Sequence, residues 1–292
     1  MVPRNREKFR EMKFTDVDEA GRNIFYFWDH PETMPNIFQE NILASRCIHY
    51  NWKVHVINDE MAQEIIGDYD PLLLEAYQMI RIPACRSDLV RLVLLLKYGG
   101  WYLDCDIYPN KAVDYLGTER PLLFRRDDDG PEQSYGRVTN MAMFLPKEHS
   151  LALDALSVIK NYIREKVHLH NVFLFSGPGL ITAISDRNGV FEENLLSFQK
   201  YFRGGARTFR TTKSEATTSW MATQSFGIFD DTEPRYPRFP KKIDEKAANI
   251  IVDFVKKHNL KKEFEELLKR RKVYLDEPVI QKYVDELSAK SR

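Results

Sequence analysis

Residues 81–108 constrain the fold more than any other stretch, because they combine a buried helix with charged side chains. Pro83 fits the first turn of a helix, and the glycine pair at 99–100 predicts its end. The residues between them are apolar on almost every side, which predicts burial, yet Asp88 and Arg91 stand at positions i and i+3. A buried charge needs a partner or a purpose, so an internal ion pair and a functional role are both open.

Two acidic residues follow this helix at the end of a predicted strand. Residues 101–103 have the aromatic bias of a strand, and Asp104-Cys105-Asp106 comes directly after them. In extended backbone, residues i and i+2 project to the same side, so we expect both carboxylates to face one way. Neighbouring carboxylates in a core repel each other unless a cation lies beside them. Mn²⁺ and Mg²⁺ take oxygen ligands, and Mg²⁺ typically uses one or two carboxylates plus substrate phosphates. The pattern predicts a metal and diphosphate site.

The acidic pair stands in a block that carries a family resemblance. A bare Asp-x-Asp is a weak signal, but Ser87-Asp88, Arg91, the glycine pair and Tyr102 flank it here. The block resembles the sugar-binding region of the DXD glycosyltransferases. This group includes fungal initiating mannosyltransferases, α-galactosyltransferases and the catalytic domain of the large clostridial glucosylating toxins. The resemblance implies an α/β fold of the GT-A type, with helices flanking a mostly parallel nucleotide-binding sheet.

The order of elements predicts the same fold class. Residues 23–28 form a continuous apolar run typical of a buried strand, residues 35–50 are typical of a helix, and residues 52–57 alternate as a second strand. Such a β-α-β start favours a mostly parallel sheet covered by helices. Trp28 and Asp104 would both lie at the carboxyl ends of strands, where ligands bind in these sheets. The resemblance implies that Trp28 stacks on the nucleotide base, and a core or rim aromatic is an equally good interpretation.

Looser matches assign three more elements. Asn140 is at the position of an asparagine that opens a strand lining the sugar pocket. Gly177 and Gly179 surround Pro178 in a turn that allows close approach of a ligand before a helix. A simple strand-to-helix connection is the competing explanation, and for Gly179 it is equally good. Ser219 and Trp220 resemble an element that closes the site on the metal and diphosphate side. The family usually places a histidine upstream of that element, and this sequence lacks it.

The resemblance also implies roles for these residues. Asp106 would hold Mn²⁺ or Mg²⁺, and Asp104 would hold ribose and sugar hydroxyls while reaching the metal through water. Asp88 and Arg91 would hold the donor sugar and, with Asp104, form the catalytic set. The other predicted nucleotide-sugar contacts are Trp28, Ser87, Tyr102, Asn140, Gly177, Ser219 and Trp220. The family retains the anomeric configuration, and no residue stands out as a covalent nucleophile. We therefore expect front-face hexosyl transfer and an α-linked product.

Donor and acceptor follow only in outline. The resemblance favours a UDP-sugar ahead of GDP-mannose as the donor, and a glycan, a glycolipid or a protein as the acceptor. A protein-glycosylating effector would use the same chemistry, and polysaccharide biosynthesis is the other expected context.

Composition bears on the remaining partners and on location. Lys and Arg number 43 and Asp and Glu number 43, so the net charge is zero and argues against a nucleic-acid partner. Three cysteines without C-x-x-C spacing favour a reducing compartment over a disulfide scaffold or structural zinc site. Neither a signal-peptide core nor an apolar run of spanning length is present. We expect a soluble, cytoplasmic protein, with peripheral membrane contact through lysine-rich C-terminal helices as an option.

Three regions are predicted. Residues 1–22 form a charged N-terminal arm, residues 23–240 a GT-A-like catalytic domain, and residues 241–292 three helices packed on that domain. Within the catalytic region, residues 226–240 contain three prolines and no periodicity, which is typical of a lid or linker loop.

Two other functions compete with the transferase. Haloacid dehalogenase-type phosphatases also use Asp-x-Asp, but they normally place it in the first strand and follow it with threonine. Here a long helix precedes Asp104, and Tyr108 occupies the threonine position. A non-catalytic nucleotide-sugar-binding module is the second alternative. Both acids, the Ser-Asp pair and the arginine are present, so nothing in the sequence indicates a loss of activity.

Overall fold

The computed structural model describes residues 17–113, 116, 119–125, 138–189, 195–204, 223–232 and 252–264. These residues form an α/β fold around a six-stranded mixed sheet. Within them, no helix has the length and apolar character needed to cross a membrane.

The strands of the described residues are, in chain order, β1 (Asn23–Phe27), β2 (Lys53–Ile57), β3 (Gly100–Leu103), β4 (Ile107–Pro109), β5 (Leu122–Arg125), β6 (Thr139–Leu145), β7 (Leu195–Ser197) and β8 (Phe202–Gly204). The helices are α1 (Asn36–Ile48), α2 (Asp59–Tyr69), α3 (Pro71–Met79), α4 (Pro83–Tyr98), α5 (Ser150–Arg164), α6 (Val172–Phe175), α7 (Pro178–Arg187) and α8 (Phe198–Tyr201). Short 3₁₀ helices span Pro31–Thr33 and Gln224–Phe226, and residues 252–257 are helical.

The central sheet has the strand order β2-β1-β3-β6-β5-β7. β1 runs parallel to β2 and β3, and β5 runs parallel to β7, whereas β6 is antiparallel to both β3 and β5. β4 and β8 form a separate two-stranded antiparallel sheet. The predicted class, a mostly parallel sheet flanked by helices, is confirmed.

β1 and β3 lie side by side, so the residues that follow them meet at one edge of the sheet. Their register pairs Ile24 with Trp101 and Phe25 with Tyr102. Trp28 and Asp104, which come directly after these strands, therefore lie at the carboxyl ends of neighbouring parallel strands, as predicted.

The sheet separates two apolar cores. Alternate residues face opposite sides, so Phe25 and Tyr102 join the core under α4, while Ile24 and Trp101 join the core on the side of α1. α4 packs against α2 and α5, and ten of its sixteen residues are buried. This burial on all sides explains the nearly continuous apolar sequence of the helix.

The glycine pair ends α4 because both residues have positive φ angles. Gly99 has φ 66° and Gly100 has φ 116°, which are conformations that side chains disfavour. A Cβ on Gly100 would lie 2.4 Å from the carbonyl oxygen of Asn23. The absence of a side chain lets β3 start directly beside β1, and the sequence prediction of a helix end is confirmed.

Of the predicted lid or linker loop at residues 226–240, residues 226–232 are described, and their contacts are those of a docked connection and not of a lid. Arg81 is buried and donates from Nε to Asp230 Oδ1 at 2.8 Å and from Nη1 to the Phe226 carbonyl at 2.9 Å. Its Nη2 donates to the Asp230 carbonyl. Ile228 and Phe229 are buried beside this clamp. These contacts dock the segment on the α3–α4 connection.

The predicted domain limits fall largely outside the described residues. The described part of the C-terminal region, residues 252–264, packs Phe254 and Phe264 against Phe226 with ring centroids 5.9 and 6.4 Å apart. The boundary between residues 240 and 241 and most of the N-terminal arm are not among the described residues, so the three-region division stays a prediction.

We expect Gly100→Ala to lower the free energy of unfolding by about 2–4 kcal/mol, because the new Cβ meets the backbone of β1. Gly189→Ala is the matched control: Gly189 also has a positive φ (66°), but no described atom lies within 4 Å of its added Cβ. It should cost only about 1 kcal/mol. Urea unfolding of both variants checks this, and equal losses would contradict the crowding at β1.

Candidate active site

Asp88 is the centre of a buried hydrogen-bond network. Arg91 Nη1 and Asn140 Nδ2 both donate to Asp88 Oδ1 at 2.8 Å, and Ser176 Oγ donates to Oδ2 at 2.9 Å. The donors come from α4, from β6 and from the residue between α6 and α7. The side chains of Asp88 and Arg91 are only 9% and 3% exposed. The predicted ion pair on α4 is confirmed.

Arg91 also reaches the acidic motif. Its Nη2 donates to Asp104 Oδ1 at 2.7 Å and lies 3.4 Å from Ser87 Oγ. The guanidinium carbon lies 4.3 Å from the centroid of the Tyr102 ring, whose hydroxyl hydrogen-bonds Ser87 Oγ at 2.8 Å. The guanidinium of Arg91 therefore binds both the carboxylate of Asp88 on α4 and the carboxylate of Asp104, the first acid of the motif.

The acidic motif forms a turn. Asp104 follows the last residue of β3, and the amide of Ile107 donates to the Asp104 carbonyl at 3.0 Å across Cys105 and Asp106. The expectation that both carboxylates face one way because the backbone is extended is therefore wrong. Asp104 and Asp106 instead occupy the first and third positions of one tight turn, and the carboxylate of Asp104 accepts from Arg91.

Three distant segments fix this turn. The amide of Asp104 donates to the Met141 carbonyl at 2.8 Å, and Asn41 Nδ2 donates to the Cys105 carbonyl at 2.9 Å. Cys105 Sγ points inward to the Phe27 carbonyl at 3.3 Å. Contacts with β6, α1 and β1 thus hold the motif in place.

Burial and charge set the protonation of the network. Burial raises the pKa of Asp88 to about 7, against the opposing charge of Arg91 and with a further increase from Asp104. Burial alone would lower the pKa of Arg91, but the charges of Asp104 and Asp88 outweigh it and raise that pKa. Arg91 stays a cation, and burial also raises the pKa of Asp104 against the charge and hydrogen bond of Arg91.

The residues of the turn fit a hard divalent cation. The side chain of Asp104 is 28% exposed, and Asp106, two residues further along the turn, is half-buried. Within the described residues, no group of three or more His, Cys, Asp or Glu side chains could hold a metal ion. Two carboxylates are the protein share that Mg²⁺ or Mn²⁺ typically uses when substrate phosphates supply other ligands. The donor set therefore fits the predicted cofactor.

Trp28 lies at the same edge of the sheet. Its indole nitrogen donates to Thr33 Oγ1 at 3.3 Å, and its ring packs edge-on against Phe38 with centroids 5.5 Å apart. Trp28 is half-buried, so it is a rim aromatic whose orientation is fixed by these two contacts. Stacking on a nucleotide base stays a prediction.

The remaining predicted residues have separate outcomes. The network brings together Ser87, Asp88, Arg91, Tyr102, Asp104 and Asn140. Gly177 follows Ser176 and begins the turn into α7, which places it next to the network. Ser219 and Trp220 lie outside the described residues.

The sequence reasoning missed two residues. Ser176 stands directly before the Gly-Pro turn, and a hydroxyl at that position was the available signal. Asn41 is a polar residue on the buried side of α1 next to Ile42, which was the signal for a buried hydrogen bond. Their hydrogen-bond partners are 88 and 64 residues away in sequence, so the sequence alone does not identify those partners.

Comparisons with known proteins agree with this geometry. Residues 35–123 match the family described as "Glycosyltransferase sugar-binding region containing DXD motif". The matched part contains α4 and the acidic turn, whereas Trp28, Asn140 and Gly177 lie outside it. The predicted resemblance to the DXD glycosyltransferases is confirmed over this region.

Curated relatives match at low identity. The mannosyl phosphorylinositol ceramide synthase SUR1 of Saccharomyces cerevisiae is 28% identical over 45% of this chain and 32% of its own length. The inositol phosphoceramide mannosyltransferase 3 of Schizosaccharomyces pombe is 30% identical over 47% of this chain and 37% of its own length. The chain thus matches about a third of the length of these relatives.

Solved structures give distant likenesses. The PaToxG glycosyltransferase has a TM-score of 0.41 at 16% identity, over 59% of this chain and 69% of that one. The UDP-bound glycosyltransferase domain from the YGT toxin has a TM-score of 0.34 at 9% identity, over 70% of this chain and 67% of that one. Both TM-scores are low, so the fold assignment rests on the sheet topology.

The raised pKa of Asp88 predicts a pH-dependent stability. The unfolded carboxyl titrates at about 3.9, so between about pH 4 and pH 7 the folded protein binds more protons at this residue than the unfolded chain. Stability contributed by Asp88 is therefore lost as pH rises through this window. From pH 5 to pH 8 the wild-type protein should lose on the order of 2 kcal/mol relative to Asp88→Asn.

Urea unfolding of both proteins at several pH values measures this difference. Asp70→Asn is the control: burial raises the pKa of Asp70, but the hydrogen bond and charge of Lys160 together with two backbone amides outweigh it and lower that pKa. Its carboxylate stays ionised above pH 5, so its curve should run parallel to the wild type. A parallel curve for Asp88→Asn would contradict the prediction.

Proposed function

We propose that this chain is a metal-dependent, retaining hexosyltransferase that moves a sugar from a nucleotide sugar to a glycan or lipid-linked acceptor. The observation that carries the proposal is the coupling of the Asp104–Asp106 turn to the buried Asp88–Arg91 pair through one guanidinium. The turn supplies carboxylates for a cation at the edge of the sheet where ligands bind in α/β folds. The match of residues 35–123 to the DXD sugar-binding region supports the same assignment.

Each network residue has a distinct task in this proposal. Asp106 would hold Mn²⁺ or Mg²⁺ directly, and Asp104 would reach it through water. When bound, the cation supplies charge stabilisation to the departing diphosphate. Arg91 orients Asp104 and keeps one of its oxygens occupied. Asp88, which is held by three donors, presents a fixed acceptor edge for donor sugar hydroxyls.

The donor and acceptor are proposed from the relatives. The resemblance in sequence favoured a UDP-sugar, whereas two relatives are named for mannosyl transfer, which supports GDP-mannose as the other donor to test. Their names also point to inositol phosphoceramide, which supports a lipid-linked acceptor ahead of a soluble glycan. We propose a cytoplasmic location with peripheral membrane contact. A protein-glycosylating effector and a nucleotide-sugar-binding module are the competing functions.

Hydrolysis and transfer assays with a panel of nucleotide sugars, with and without Mn²⁺, test the assignment. At least one donor should turn over, and removal of the metal with a chelator should abolish turnover. Asp106→Asn should lower kcat/KM by about 100-fold or more, because loss of a ligand weakens the stabilisation of the leaving group.

Asp68→Asn is the matched control, because Asp68 is an exposed carboxylate on α2 that pairs with Lys97. It should keep wild-type activity. Turnover that persists without metal and in Asp106→Asn would exclude the metal assignment. Binding of nucleotide without turnover of any donor would favour the binding module.

Retention predicts an α-linked product from an α-nucleotide sugar. NMR of the transfer product reads its anomeric configuration from the one-bond coupling between C1 and H1, which separates α-linked from β-linked products for glucose-type and mannose-type donors alike. A β-linked product would contradict front-face transfer and would require a general base that the described residues do not identify.

A further inference from the structure

We propose that Ser176 is a positioning residue for Asp88, so that its hydroxyl sets the geometry of the donor-sugar site without touching the donor. This inference rests on the proposed transferase function, since it assigns a task within the same site. Ser176 is not among the residues that the sequence motifs identify.

The hydroxyl of Ser176 has one strong hydrogen-bond partner, the carboxylate of Asp88. The side chain is 1% exposed, and Oγ donates to Asp88 Oδ2 at 2.9 Å. Its other neighbour is Cys85 Sγ at 3.5 Å, a buried thiol whose pKa burial raises, so it stays protonated. The hydroxyl therefore acts on the carboxylate of Asp88.

The position of the hydroxyl decides which way Asp88 faces. Arg91 and Asn140 both donate to Oδ1 of Asp88. These two donors hold only one carboxylate oxygen against rotation about the Cβ–Cγ bond. Ser176 binds the other oxygen and completes a three-point support. Without it, a buried carboxylate oxygen would lose its donor, and Asp88 would be free to reorient.

The turn after Ser176 is built to place it. The amide of Gly177 donates to the Val172 carbonyl at 2.9 Å, and a Cβ on Gly177 would lie only 3.0 Å from that carbonyl oxygen. A Cβ on Gly179 would lie 2.6 Å from the ring of Phe173. The Gly-Pro-Gly sequence lets α7 start tight against α6. Because the glycines allow this close packing, Ser176 lies beside Asp88.

A hydroxyl donor also favours the ionised form of Asp88. Its hydrogen bond lowers the pKa of Asp88 against the dominant effect of burial, as the bond from Asn140 also does. Loss of the hydroxyl should therefore raise the pKa of Asp88 further. This consequence gives a measurement that does not depend on activity.

The matched pair Ser176→Thr and Ser176→Val separates the hydroxyl from the packing, because the two side chains have nearly the same shape and only threonine can donate. Ser185→Ala is the control for loss of a buried hydroxyl. Ser185 lies on α7, is fully buried, and its Oγ has no hydrogen-bond partner among the described residues. It should keep wild-type kinetics.

Steady-state kinetics with the donor identified in the panel, and binding of UDP or GDP with Mn²⁺, give the first readout. Ser176→Val should lower kcat at least tenfold, with nucleotide affinity unchanged within about threefold, since the diphosphate contacts are elsewhere. Ser176→Thr should recover most of the loss. Equal activity of the two variants, or wild-type kcat in Ser176→Val, would overturn the inference.

Carbon-13 NMR titration of aspartate carboxyls gives the second readout, with the Asp88 signal assigned by its absence in Asp88→Asn. The pKa of Asp88 should be higher in Ser176→Val than in Ser176→Thr. If the wild-type protein turns over no donor, the proposed function fails, and the titration alone tests the role of Ser176. An equal pKa of Asp88 in both variants would then overturn the inference. If the wild type is active and Ser176→Val matches it, the function stands and the inference fails.

Discussion

The shared guanidinium of Arg91 is the interaction on which the site depends. It lies between Asp88 and Asp104, within 2.8 Å of one carboxylate and 2.7 Å of the other, and is almost wholly buried. Removing one member of a buried ion pair typically costs about 3–5 kcal/mol, because an uncompensated charge remains. α4 and the acidic turn therefore cannot move independently, because the protein's own side chains hold them together. Such prior order is what a site that binds a charged diphosphate needs.

The limits of α4 and its ion pair were predictable because they depend on residues close together in the sequence. Pro83 and the glycine pair predicted both ends of α4, and the i, i+3 spacing predicted the pair of Asp88 with Arg91. The register of two parallel strands then placed Trp28 and Asp104 at one edge. These inferences use only helix and strand periodicity, which the sequence carries directly.

The features that were not predictable are set by contacts between distant segments. Whether Asp104–Asp106 would be extended or turned depends on Asn41, 64 residues away from its partner Cys105. Whether residues 226–230 would be a lid depends on Arg81, which anchors them from the start of α4. The sequence shows the polar residues but not what they bind, so the turn was interpreted as extended backbone and the docked segment as a lid or linker loop.

The central claim is that the acidic turn, held by Arg91, is the metal and diphosphate site of a nucleotide-sugar transferase. Anomalous diffraction at the manganese edge, from crystals grown with Mn²⁺ and UDP or GDP, tests it most directly. The account predicts one manganese peak bonded to the carboxylate of Asp106 and to the diphosphate, with the contacts of Arg91 to Asp88 and Asp104 intact. A nucleotide bound without manganese at this turn, or manganese bound elsewhere, would contradict it.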